Sequence, residues 1–169
     1  MRPRSEAELN GHRRAFVSMF QDLRRRKGLR SYVAHNMTVM AANLAEVGQV
    51  ARDVSRMGYQ MVSFQPAAFV GDDRRWPSDH RGVRIDDVWT ELEADLGQRL
   101  PWEALQFGDP RCNRTAFGVL VGSTWVPVLD PASPRDLAAR DLYPSRYGGL
   151  TLDASRPGPG GQSKFLSPA

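Results

Sequence analysis

Two helical stretches, each closed by a glycine and followed at once by a short apolar run, constrain this chain more than any other feature. From Glu6 to Lys27, the residues Leu9, His12, Phe16, Phe20 and Leu23 recur at helical spacing and make one stripe. Gly28 stands where a C-terminal cap is expected, and Leu29 to Ala34 then reads as a strand. A second helix is expected from about Ala42 to Met57, with Leu44, Val47, Val50, Val54 and Met57 on one side and Gly58 at its end. Tyr59 to Phe64 reads as a second strand. It lacks clean polar alternation, which suggests cover on both faces. A strand joined to the next by a helix forms a parallel pair with a right-handed crossover, so the expected class is α/β. In such folds the chemistry collects just beyond the C-terminal ends of the strands. Those ends are His35-Asn36-Met37-Thr38 and Ser63-Phe64-Gln65-Pro66.

The periodic pattern breaks after Pro66. Residues 67–84 include Gly71, Asp72, Asp73, Arg74, Arg75, Trp76 and Pro77 and read as a long surface loop. Asp86 is expected to cap a third helix that runs to about Leu96, with Val88, Trp89, Leu92 and Leu96 as its apolar side. Thr115 to Val121 and Thr124 to Leu129 flank Gly122-Ser123, which suits a type II′ hairpin. A short helix is expected from Pro134 to Leu142. From Asp153 onward the chain is rich in Pro, Gly and Ser and is expected to be disordered. The organisation read from this is a βα segment over 1–66, an extension with helix and hairpin over 67–142, and a flexible tail over 143–169.

Charge and cysteine content exclude several classes. The formal net charge is +4, and all but two of the 23 basic residues are arginine, as expected of a GC-rich genome. Residues 1–30 hold nine basic residues against three acidic ones. The run Arg24-Arg25-Arg26-Lys27 suits phosphate contacts, and it equally suits the negative end of a helix dipole. No aromatic stacking platform accompanies it, so nucleic acid is not the expected partner. Cysteine occurs once, at Cys112, which rules out an intrachain disulfide and any all-cysteine metal or iron–sulfur centre within one chain. The start has no apolar signal core, and no apolar run approaches the roughly 18 residues of a membrane span, so a cytoplasmic protein away from membranes is expected.

The stretch from His35 to Gly71, HNMTVMAANLAEVGQVARDVSRMGYQMVSFQPAAFVG, resembles the last part of the catalytic barrel of radical S-adenosylmethionine enzymes. The helix start Asn43-Leu44-Ala45-Glu46-Val47 and the strand end Ser63-Phe64-Gln65-Pro66 carry the likeness. The segment Phe107 to Gly122, FGDPRCNRTAFGVLVG, looks like the region after the barrel in a subgroup of that family. The resemblance implies an incomplete, partial TIM-type parallel barrel with two βα units, followed by a helix, a hairpin and a disordered tail. It also implies S-adenosylmethionine and a four-iron four-sulfur cluster as cofactors. The family's Cys-x-x-x-Cys-x-x-Cys motif is missing, so no cluster is expected on this chain alone, and no catalytic or metal-ligating residue is carried over. The function implied is the C-terminal portion of a radical-SAM-type oxidoreductase acting on a small molecule, inactive by itself. An N-terminal barrel half or a second copy would cover the open sheet edges. The rival reading is a nucleic-acid-binding or regulatory module that uses the Arg-rich first helix.

The candidate cofactor-binding residues are His35, Asn36, Thr38, Ser63 and Gln65. Their amide, hydroxyl and imidazole groups suit the hydroxyls and carboxylate of such a cofactor. The ordinary alternative is capping, with Asn36 or Thr38 satisfying free amides before the next helix. Cys112 as a nucleophile needs a base, and the histidines are His12, His35 and His80. The pairs Asp72-Asp73 and Asp86-Asp87 read as loop and helix-start carboxylates, and Trp76 and Trp89 as packing groups.

Overall fold

A computed structural model describes residues 3–68, 82–106, 109–122, 124–147, 150–151 and 167–168 of the chain. The chain forms two compact units. The first holds helix α1 (Asn10–Lys27), strand β1 (Ala34–Val39), helix α2 (Val47–Met57), strand β2 (Met61–Pro66) and helix α3 (Ile85–Leu96). Short 3-10 turns precede α1 and α2. Gly28 and Gly58 end α1 and α2 at φ +66° and +96°, a region that side chains beyond glycine rarely adopt. The class is mixed α/β, with a two-stranded parallel sheet and no closed barrel among the described residues.

Both strands lie further along the chain than their apolar runs suggest. The expected strand Leu29 to Ala34 is replaced by Ala34–Val39, and Tyr59 to Phe64 by Met61–Pro66. Leu29 to Ala34 therefore meets Tyr59 to Phe64 only at its end, where Ala34 pairs with Met61 and the Val33 carbonyl accepts from the Gln60 N–H at 2.9 Å. The reason is that the sheet has one covered face. Along the first strand Val33, Met37 and Val39 are buried, whereas Ala34, Asn36 and Thr38 are exposed. That alternation is the mark of a half-covered strand. Read as the polar tip of a strand, His35 to Thr38 is instead its body.

All three helices serve the covered face. Val47, Val50, Ala51 and Val54 of α2 are buried, and they form the centre of the core with Met37, Val39, Val88 and Leu92. At about 1.5–3 kcal/mol per fully buried aliphatic side chain, this cluster is the main stabilising term of the unit. Helix α2 packs against both α1 and α3, and α2 and α3 both reach β2. Gly48 lets α2 approach α3 closely, and Arg52 there pairs with Asp95 at 2.7 Å. Arg84, not Asp86, is the N-cap of α3; its backbone N–H donates to Asp87 at 2.8 Å.

The stripe expected to bury α1 does not do so. The residues of α1 that are buried are Arg13 and Val17. Phe16, Met19 and Leu23 are 45%, 48% and 36% exposed, and His12 is exposed too.

The second unit contains a 3-10 turn at Trp102–Ala104, the antiparallel hairpin β3 (Gly118–Val121) and β4 (Thr124–Pro127), and helix α4 (Pro134–Tyr147). Gly122 opens the hairpin turn at φ +65°. Ser123, which decides the turn type, lies outside the described residues. Helix α4 runs five residues past the expected Leu142, into the segment read as tail. It starts from a Ser133 cap whose Oγ accepts from the Asp136 N–H at 3.2 Å, with Pro134 in the first helical position. Strands β5 (Leu150–Thr151) and β6 (Ser167–Pro168) pair antiparallel. Most of the tail and of the 67–84 loop, including Trp76, His80, Asp72 and Asp73, lies outside the described residues.

Candidate functional site

The register of the parallel pair decides which candidate residues meet. Asn36 pairs with Ser63 and Thr38 with Gln65. In parallel strands, registered partners project to the same face, and residues two apart share that face. The four side chains therefore make a polar quadrilateral of about 4.8 Å across the strands and about 6.6 Å along them. It occupies the sheet face opposite the helices. Asn36, Thr38 and Gln65 are exposed and Ser63 is half-buried.

His35 belongs to the other face. It packs edge-on against Tyr59, with ring centroids 5.6 Å apart at 69°. Its Nε2 is buried and has no hydrogen-bond partner among the described residues. Burial, with Arg13 nearby, holds its pKa below 6.5, and Glu6 opposes the shift. The structure thus brings together four of the five candidates and separates the fifth by the thickness of the sheet.

A polar cluster that the sequence did not reveal lies where β1 hands over to α2. Arg13 is buried and donates to the Glu6 carbonyl at 2.6 Å and to Asn10 Oδ1 at 2.9 Å, and it pairs with the Glu6 carboxylate. The Glu6 N–H donates to Glu46 Oε2 at 2.7 Å. Asn43 joins this group to the strand end. Its Nδ2 donates to the Thr38 carbonyl at 3.1 Å and to Glu6 Oε1 at 3.3 Å, and its Oδ1 accepts from the Met40 N–H at 2.8 Å. The Tyr59 hydroxyl donates to the Arg13 carbonyl at 3.1 Å. Asn43 stood in the sequence as part of a helix-start phrase, and its side-chain oxygen three residues after Met40 was the one readable signal. Arg13 gave none, because it falls outside the apolar stripe.

The quadrilateral offers two amides and two hydroxyls, which donate and accept hydrogen bonds but do not titrate near neutrality. It is equipped to bind a polar small molecule and orient it. The residues do not fit a four-iron cluster of the family's kind, which takes three thiolates, because Cys112 is the sole cysteine and is exposed. Among the described residues, no three His, Cys, Asp or Glu side chains are grouped to hold a metal ion. In the second unit, Pro101, Ala104, Leu105, Phe117, Val128 and Leu129 line an apolar cleft of about 220 Å³. Beside the 3-10 turn, the Arg114 guanidinium lies over the Trp102 ring at 4.5 Å. Among the described residues, no helix is long and apolar enough to cross a membrane.

No protein-family model matches the chain, and neither a curated protein nor a solved structure is significantly similar to it.

Proposed function

We propose that this chain is the C-terminal portion of a radical-SAM-type oxidoreductase, lining part of a cofactor and substrate cleft with Asn36, Thr38, Ser63 and Gln65. The supporting observation is the one-sided sheet. Helices cover one face, and the other carries four polar side chains in register. In a parallel βα barrel the helix-free face is the inner one, and ligands are met at its C-terminal end, toward which Thr38 and Gln65 lie on their strands. The chain supplies hydrogen-bonding groups to that cleft and no cluster ligands, so it does not turn over alone. The cytoplasm is the compartment we assign to it.

Titrating isotope-labelled protein with S-adenosylmethionine at millimolar concentration tests this by NMR. Shifts concentrated at Asn36, Thr38, Ser63 and Gln65, and lost in Gln65→Ala, are expected. Shifts elsewhere, or none, would overturn the reading. A second reading, phosphate binding by α1, is favoured by the exposure of Arg24, Arg25, Arg26 and Lys27 at its C-terminal end. It requires salt-dependent binding to generic duplex DNA or RNA that disappears when the three arginines are neutralised.

A further inference from the structure

We infer that the substrate met by the open sheet face is an uncharged, hydroxyl-rich small molecule, a sugar or neutral glycoside, held by Asn36, Thr38, Ser63 and Gln65. The inference names the substrate class of the cleft proposed above and rests on that reading.

Three observations support it. The first is that the four side chains have unused hydrogen-bonding capacity. Asn10 and Gln49 donate to Asp53 at 2.7 and 2.8 Å, and Gln60 Oε1 accepts from the Val33 N–H at 2.9 Å. Asn43 ties Thr38, Met40 and Glu6 together. These amides serve the fold. Asn36, Thr38, Ser63 and Gln65 make no side-chain hydrogen bond among the described residues, although register sets all four on one face.

The second is the absence of charge along both strands. No Asp, Glu, Lys or Arg occurs between Arg30 and Glu46, and none between Arg56 and Asp72. His35, the one histidine of these stretches, belongs to the helix side. Glu6, which reaches this sheet end through Asn43, is paired with Arg13. The start of α2 would favour an anion through the helix dipole, but it already carries Glu46 as its N-cap residue. A carboxylate or phosphate brought onto such a face loses hydration and meets no countercharge from either strand.

The third is the kind of hydrogen bond on offer. Amide and hydroxyl groups both donate and accept. They match a ligand whose own groups do both, as sugar hydroxyls do. An ionised carboxylate only accepts and an ammonium only donates, so either would leave part of the site's capacity unmet. On the same face, Ala34 pairs with Met61, and Met61 is 46% exposed. This apolar step beside the polar rows suits the C–H side of a sugar ring, and such a mixture is usual in small-molecule sites.

NMR titration of the full chain tests the inference. The probes are the methyl glycosides of glucose, galactose and mannose, each compared with the corresponding uronate. At least one neutral glycoside should shift the side-chain amides of Asn36 and Gln65 and the backbone amides of Thr38 and Ser63. Its uronate should bind more weakly, and added sodium chloride should leave the neutral binding unchanged. Thr38→Val removes one hydroxyl from an exposed position and should weaken binding about five-fold. Gln65→Lys supplies the missing charge and should reverse the order, so that the uronate binds more tightly. Both positions are exposed, and unchanged amide resonances in α2 will show that the variants fold. Tighter binding of a uronate by the parent chain would overturn the inference. So would salt-sensitive binding of the neutral glycoside, or no shift with any of the three neutral glycosides. Shifts with S-adenosylmethionine while every glycoside fails would sink this inference and leave the cofactor reading in place. Glycoside binding with no response to S-adenosylmethionine would count against the cofactor reading alone.

Discussion

Replacing Gly48 with alanine sets two known tendencies against each other. Alanine is favoured over glycine inside a helix by about 1 kcal/mol, so an open position would be stabilised. Gly48 is not open. A Cβ added there would lie closer than 3.0 Å to Oδ2, Cβ and Cγ of Asp95, a separation that real Cβ atoms essentially never show. The Asp95 carboxylate can swing away, since its side chain is 38% exposed, and that would release its ion pair with Arg52. For a pair this exposed, the loss is a few tenths of a kcal/mol. The Asp95 Cβ cannot swing away, because it is fixed to the α3 backbone, so the two helices must separate. Overpacking of this kind costs about 1–3 kcal/mol. The sum is a net loss of about 1–2 kcal/mol for Gly48→Ala. Urea denaturation measures it, and the Asp95 background identifies its cause. Asp95→Ala keeps the offending Cβ and should leave the penalty nearly intact. Asp95→Gly removes it, so that Gly48→Ala becomes neutral or stabilising. If Gly48→Ala stabilised the parent chain, or if Asp95→Ala rescued it as fully as Asp95→Gly, the account of this helix contact would be wrong.

Stability should fall on acidification below about pH 6.5: folding depresses the His35 pKa from 6.5, so the unfolded chain takes up a proton that the folded chain resists. Thermal melts from pH 8 to 5 should show this slope, and His35→Phe should flatten it. Arg13→Met removes the partner of a Glu6 carboxylate whose side chain is 17% exposed and should cost about 3 kcal/mol, read as a lower urea midpoint at unchanged slope. Gly118→Ala would drive a methyl group into Cε2, Cζ2 and Nε1 of Trp125, so the indole N–H resonance of Trp125 should move while the backbone amide resonances of α1 and α2 stay in place. Val50→Ala empties part of a site that is 1% exposed and should cost about 2 kcal/mol by the same denaturation assay.

What could be read in advance was whatever rests on short-range rules. Gly28 and Gly58 ended their helices where the left-handed cap was expected. Val47, Val50 and Val54 were named as one side of α2 and are its buried line. The parallel pairing followed from connectivity. The strands were misplaced because strand length was judged by apolar content under an assumption of two covered faces. Val33, Met37 and Val39 carried the alternation all along, with polar neighbours that belong to the open face. The α1 stripe was found as a pattern, but periodicity shows that a face is apolar and not which surface meets it, and Phe16, Met19 and Leu23 stay exposed. Asn36, Thr38, Ser63 and Gln65 were grouped with His35 by their place at the expected strand ends; that the four share one face comes from the register, and the parity of His35 sets it apart. Arg13 was illegible for a different reason. A buried guanidinium depends on partners such as Glu6 and Asn10 whose geometry only the folded chain supplies.

The Glu6 carboxylate and backbone knot together the first helical turn, the start of α2 and, through Asn43, the carbonyl of Thr38. Whatever pulls on the polypeptide just ahead of α1 therefore pulls on the rim of the open sheet face as well. The segment before α1 is thus mechanically geared, through Asn43, to the Thr38 carbonyl at the end of β1.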